Sequence, residues 1–297
     1  MGAVGNGTLG YSEAALDVAD VDDAVENAIG HSGTCARRAS GAVACWGTSL
    51  DGHIEWVTTP VDIADIGDAT SLAAVSGRTC AARADGSVAC WGTSVGPSPV
   101  ALDLGGLHVA DVATSKREFH ELVACATDGR VALVGLWLSG PEVEFVPGIE
   151  DAHVVARGGS QSCAIVSSGS LACWRNHSED GDLPSPPVDD AVAIAMGGEA
   201  CAVRADGRIT CFWWSDEDDM MVETVDVAGV DDAVDVALGE NCPMLVAHAD
   251  GQVTDRWFSG DSAPRVVPGL DDAVAVATGP DHGCALRASG RVACWGW

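Results

Sequence analysis

The string CALRASGRVACWG, Cys284 to Gly296, is written twice more with small changes: as CARRASGAVACWG from Cys35 to Gly47, and as CAARADGSVACWG from Cys80 to Gly92. Aligned on the glycine of its Ser-Gly or Asp-Gly dipeptide, the phrase has seven copies, at Gly41, Gly86, Gly129, Gly169, Gly207, Gly251 and Gly290, spaced 45, 43, 40, 38, 44 and 39 residues apart. A period of about 40 residues filled with short β-type segments is the mark of a propeller blade, a small sheet that buries its faces only against neighbouring sheets. The 297 residues therefore read as one all-β domain spanning 1–297 rather than as two ordinary domains.

The last copy shows how a unit is built. PRVVPG reads as an outer strand, DDAVAVATG as an inner strand led by a turn, and CALRA and RVACWG as a hairpin, which makes four strands per blade. The inner strand uses small residues, Ala191 to Ala195 in one repeat and Ala273 to Ala277 in another, as strands converging on a narrow axis require. Glycine fills a positive-φ position in the three-residue hairpin loop with little strain. Counting outward from Gly41 sets Cys35 opposite Cys45. The same offsets pair Cys80 with Cys90, Cys163 with Cys173, Cys201 with Cys211, and Cys284 with Cys294.

A facing pair in a non-hydrogen-bonded site has its Cα atoms about 4.5 Å apart, within disulfide range. In the other two repeats both positions lose cysteine together, as Val123 with Leu133 and Leu245 with Asp255, so the role is a paired one. Zinc is the rival reading, but a spacing of ten within one hairpin lacks the close Cys-x-x-Cys knuckle. Five disulfides imply an oxidising compartment. Cys125 and Cys242 are left over and read as buried free thiols, a bridge between them being the alternative.

The string VAVATGPDHGCALRASGRVACWG, Val274 to Gly296, resembles the repeat of the regulator of chromosome condensation family in its cysteine-rich bacterial form. The small strand, the Gly279, His282 and Cys284 approach, the turn glycine and the final Trp-Gly recur in order along nearly the whole chain. The resemblance implies a seven-bladed β-propeller. It also explains the N-terminus, where AALDVADVDDAV is similar to PRVVPGLDDAV, so a strand at Ala15 to Val18 is expected to complete the last blade and close the ring. A chain that starts and ends mid-repeat, with no signal peptide in MGAVGNGTLGYSEAALD, is expected to be a monomeric domain cut from a longer exported protein, extracellular or on the cell surface, with the periplasm as alternative.

Composition narrows the partner. Lys and Arg total 15 against 44 Asp and Glu, a net charge of −29, which repels nucleic acid and anionic lipid. No apolar run reaches the roughly 18 residues of a membrane helix. The eukaryotic founder of the family binds nucleosomes and exchanges nucleotide on a GTPase, and neither role fits this charge and these disulfides. No nucleophile elbow, phosphate loop or zinc-protease motif occurs, and no cofactor or metal is expected. The acidic pairs before the inner strands, such as Asp189-Asp190, read as turn chemistry, with calcium as the sharper alternative.

Trp46, Trp91, Trp174 and Trp295 follow the second cysteine and are expected to pack between blades. Candidate binding residues are those that vary from blade to blade on one rim: Arg78, Glu121, Gln161, Glu199, Asn241 and His282, with Phe119 and His120 in the divergent third repeat. Trp56, Trp137 and Trp214, outside the blade-packing slot, join them because aromatics are enriched in binding hot spots. The expected function is a non-catalytic module that binds a protein or glycan through that rim. The alternatives are a hydrolase or lyase with carboxylates in the central funnel, and a structural repeat of a large surface protein.

Overall fold

The structure, a computed structural model, describes residues 4–8, 10–31, 33–47, 57–75, 77–93, 95–114, 121–137, 140–177, 183–215, 222–239, 243–256 and 263–296. Seven antiparallel sheets succeed one another in chain order around a ring. Blade 1 holds Ala24–Ile29, Gly33–Arg38, Ala42–Gly47 and Val57–Gly67, counted from the axis outward. The innermost strands of blades 2 to 7 are Ala69–Val75, Val109–Thr114, Ala152–Arg157, Ala191–Met196, Ala233–Ala237 and Ala273–Thr278. Together the seven surround a central channel of about 290 Å³, lined mostly by Ala, Val, Ile and Leu.

The hairpin register is the one the turn glycines dictate, with Cys35 facing Cys45, Arg37 facing Val43, and all five cysteine pairs directly opposite. Each pair forms a disulfide across Cα separations of 3.9 to 4.1 Å. The positions of paired loss also face each other, Val123 opposite Leu133 and Leu245 opposite Asp255. In blade 6 the outer strand answers the change: Arg265 lies across from Asp255 and holds it with both Nε and Nη2, the latter at 2.6 Å.

The turn glycines carry a second duty that their φ values of +80 to +88° make possible. Each donates its N–H to the residue three before it, as Gly41 does to the Arg38 carbonyl at 2.9 Å, and offers its own carbonyl to the next blade. Ala69 N–H donates to Gly41, Val109 to Gly86, and so on around the ring until Ala24 donates to Gly290 at 2.7 Å. A Cβ at Gly251 would lie 2.3 Å from the Asp271 carbonyl oxygen, so a side chain there would push two blades apart.

Blades meet through one recurring contact. The bulky side chain five residues after a turn glycine packs on the disulfide of the preceding blade: Trp91 on Cys35 and Cys45, Phe212 on Cys163 and Cys173, and Trp46 on Cys284 and Cys294 across the ring closure. Where the disulfide is missing, Trp174 rests on Val123 and Leu133. Trp46, Trp91, Trp174 and Trp295 are all buried, as expected.

The ring closes as the sequence indicates. Leu16–Asp17 adds to blade 7, with Leu16 opposite Cys294. The N-terminal segment goes further than expected, because Gly7 N–H donates to the Thr58 carbonyl of blade 1 and Val4 packs against Trp46. One stretch of chain thus grips both sides of the seam.

Blade 4 departs from the four-stranded plan: among the described residues its sheet has three strands. The chain that would supply the fourth contains Pro184, Pro186 and Pro187, which have no N–H to donate to a ladder. Leu183 N–H bonds the Cys173 carbonyl, and Leu183 and Val188 bury their side chains, so the segment covers the edge without pairing along it.

Replacing Trp91 by Ala, which empties the contact between blades 1 and 2, is expected to cost about 3–5 kcal/mol, read from urea denaturation. A non-reducing peptide map should return the five hairpin pairs and no link between different blades.

Candidate functional site

The second strand of every blade starts at the same rim, beside the end of the inner strand that lines the channel. Arg78, Glu121, Gln161 and His282 all begin such strands, and Glu199 directly precedes one, so the expected rim positions are brought to one end of the ring. Their exposure is not uniform. Arg78, Glu121 and His282 are only 7, 6 and 3% exposed, Gln161 is half-buried, and Glu199 is open to solvent. Phe119, His120, Asn241 and Trp56 lie outside the described residues, as do Cys242 and the side chain of Trp137.

Two of the buried members, Glu121 and His282, act between blades. His282 Nε2 lies 2.8 Å from Thr34 Oγ1, which joins blade 7 to blade 1. Glu121 of blade 3 accepts a hydrogen bond from Arg157 Nη2 of blade 4 at 2.6 Å, and its other oxygen contacts His177 Nε2 at 2.5 Å. Arg157 has no exposed side-chain surface, so the pair neutralises two charges that neither could carry alone at this depth. His177 is half exposed and adopts φ +59°, a conformation non-glycine residues rarely take. Of the positions expected to contact a partner, Arg78, Glu121 and His282 thus leave little surface open to solvent.

Trp214, another expected contact residue, is also largely buried. It is 8% exposed, stands edge-on to Phe212 at 5.5 Å, and donates Nε1–H to the Pro184 carbonyl at 2.9 Å, clamping the proline segment of blade 4. Its neighbour Trp213, facing the other side of the strand, is the exposed one.

Electrostatics at the opposite rim follow a rule that the composition hides. The acid immediately before the inner strand pairs with a basic side chain at the end of the second strand: Asp23 with Arg38, Asp68 with Arg83, Asp190 with Arg204, Asp232 with His248, and Asp272 with Arg287. The acidic turns are therefore half of an ion-pair ladder, which sequence spacing alone did not disclose. No group of three or more His, Cys, Asp or Glu able to hold a metal ion occurs among the described residues.

A second set of carboxylates sits deeper, on the inner strands. Glu26 Oε1 accepts from Leu72 N–H at 2.9 Å, Asp111 Oδ2 from Val155 N–H at 3.1 Å, and Asp235 Oδ2 from Val276 N–H at 2.8 Å, each reaching to the next blade. Burial raises the pKa of all three, outweighing their hydrogen bonds, and lifts Asp235 to about 6. The second oxygen of Glu26 is taken by Arg37 and that of Asp111 by Ser71, so these acids are tied into structure. The described lining of the channel itself holds no carboxylate, and Arg157 is its one charged residue. Cys125 is a buried free thiol, pushed up to about 12 by burial and so unreactive as a nucleophile.

The geometry defines a class, a disulfide-braced seven-bladed β-propeller. Residues 273–297 match the family model of the regulator of chromosome condensation (RCC1) repeat. The match covers the last repeat alone, and the other six repeats are in step with it at every turn glycine. Yeast RCC1 (Prp20), solved bound to Kap60, has a similar structure, with a TM-score of 0.63 at 16% identity over 91% of this chain and 79% of that one. Prp20p from Saccharomyces cerevisiae, described with its binding to Gsp1p and histones, gives 0.63 at 16% identity over 92% and 82%. The β-propeller domain of Myceliophteria thermophila Cps50 (Swd1) gives 0.61 at 14% identity over 93% and 99%. No curated protein sequence matches the chain.

Two substitutions test the site. Glu121→Ala should cost about 3–5 kcal/mol by stranding Arg157, whereas Glu199→Ala should stay within about 0.5 kcal/mol, both by urea denaturation. Because folded Asp235 holds its proton up to about pH 6 while the unfolded chain releases it near the ordinary 3.8, its contribution to stability falls as pH rises through that window. Asp235→Asn should therefore raise stability at pH 7.5 by up to about 3 kcal/mol and leave it nearly unchanged near pH 4.

Proposed function

We propose that this propeller is a non-catalytic binding module of an exported protein, and that it recognises a protein partner through the rim at which the inner strands end. The observation that carries this reading is the variation at one structural position. On a ring whose packing repeats blade after blade, the start of the second strand is occupied in turn by Gly33, Arg78, Glu121, Gln161, Glu199, Pro243 and His282. Rigid sheets carrying varied rim chemistry are how scaffolds present binding surfaces. With Glu121 and His282 engaged across blades and Arg78 buried, Gln161 and Glu199 are the described positions offered to a partner.

A protein partner is favoured over a glycan because the similar propellers include one solved with a bound protein. Export, to the cell surface, the medium or the periplasm, is supported by five disulfides, each closing a ten-residue step. Such a bridge stabilises by roughly 2–3 kcal/mol on the chain-entropy account, a gain available only where thiols are oxidised.

The test is affinity capture from the native extracellular fraction with the wild-type chain and with a Gln161→Ala, Glu199→Lys double variant, followed by titration of the captured protein. The variant is expected to bind at least tenfold more weakly with an unchanged melting temperature. Full affinity in the variant would place the working face elsewhere.

A further inference from the structure

The rim opposite this one carries a feature that repeats in four consecutive blades. The sequence Asp-Asp-Ala-Val occurs at Asp22 to Val25, Asp189 to Val192, Asp231 to Val234 and Asp271 to Val274. These are blades 1, 5, 6 and 7, which adjoin one another because the ring closes between 7 and 1. In all seven blades the register shifts at the second residue of the inner strand, a bulge between Ala24 and Glu26 in blade 1 and at the equivalent place in every other. A bulge turns its extra residue out of the ladder and re-aims the side chain. Here it brings Val25, Val192, Val234 and Val274 into solvent at 44, 56, 42 and 45% exposure, near the starts of the innermost strands. In blades 2 to 4 the position is held by Thr70, Ala110 and His153, so the large apolar side chains form one arc.

Acids outnumber basic side chains around the arc. In each motif the second acid is held closely by a basic side chain of its own blade, while the first is much more open: Asp189 and Asp271 are 86 and 90% exposed, with Arg204 and Arg287 reaching them only at 4.0 and 3.8 Å. Glu26 and Asp235 stand just behind the valines on the same strands. An exposed apolar patch rimmed by polar groups marks an interaction surface. The sign of this rim, in a chain of net charge −29, selects against a second copy of itself and against an anionic membrane.

We propose that the arc formed by the four Asp-Asp-Ala-Val motifs is a docking surface for a basic protein segment, one that seats apolar side chains on Val192, Val234, Val274 and Val25 and places flanking Lys or Arg against Asp22, Asp189, Asp231 and Asp271. It lies on the face opposite Gln161 and Glu199 and stands independently of the function proposed for that rim.

Fluorescence anisotropy with the full chain and a labelled Lys-Lys-Leu-Leu-Lys-Lys peptide tests it. Saturable binding is expected, at least tenfold weaker for Lys-Lys-Ser-Ser-Lys-Lys and for Glu-Glu-Leu-Leu-Glu-Glu. A V192T/V234T/V274T variant, which keeps the β-branched shape, and a D22N/D189N/D231N/D271N variant should each lose at least tenfold, while Gln161→Ala with Glu199→Lys changes nothing. Circular dichroism melting and the disulfide map confirm that each variant is folded. No saturable binding, equal binding of the serine peptide, or full binding by the threonine variant overturns the proposal. So does a wild-type chain that self-associates through this arc in analytical ultracentrifugation.

Discussion

The contact on which this structure depends is a large apolar side chain of one blade lying on the hairpin ridge of the blade before it, as Trp91 and Trp46 lie on disulfides and Trp174 on Val123 and Leu133. A single blade cannot bury its two faces, because each is a thin sheet with solvent on both sides until a neighbour arrives. The hairpin disulfide gives one face a compact apolar ridge, and the residue five after the turn glycine gives the other a large flat side chain to cover it. Alternation along one strand makes this possible: Cys45 and Trp46 are consecutive and so point to opposite faces. The two residues thus couple each blade to both of its neighbours. The seam between first and last blades is made by the same contact, Trp46 on Cys284 and Cys294, reinforced by the N-terminal segment.

Once the ring is fixed in this way, polar chemistry divides between its two ends. At the turn-glycine end, every blade offers a carbonyl to the next and five of them hold an acid against a basic side chain of their own, so Arg38, Arg83, Arg204 and Arg287 are used internally. Much of the acidic excess is left facing outward. At the other end, side chains nearest the axis are drawn into blade interfaces, as Glu121 is by Arg157 and His282 by Thr34. Whether such a position stays open depends on what the adjacent blade presents: Glu199 remains open, whereas Glu121 is met by Arg157.

The blades that break the pattern show how the constraint is met by other means. Blade 3 keeps the apolar ridge with Val123 and Leu133 in place of the disulfide, and Trp174 packs on it unchanged. Blade 6 accepts Asp255 in the slot because Arg265 on the outer strand binds it. Blade 4 gives up its fourth strand to a proline-rich cover held by Trp214. In each case the loss of one term is offset by a neighbour in the same row, which is why the ring tolerates irregular repeats.

The sequence by itself determined the number of blades, the hairpin register, the disulfide pairing and the strand that closes the ring, because all of these follow from local rules. Glycine must occupy the positive-φ turn position, residues at equal offsets from that turn must face each other, and a period of that length must be a repeat. What only the tertiary structure decided is which polar residues are free. Glu121 and Glu199 occupy corresponding stretches of two repeats and look alike as letters, yet one is buried against Arg157 and the other faces water. Burial, ion pairing and the pKa of Asp235 depend on what the adjacent blade presents. That neighbour is set by the closure of the whole ring, at sequence separations of about 40 residues that no local pattern encodes.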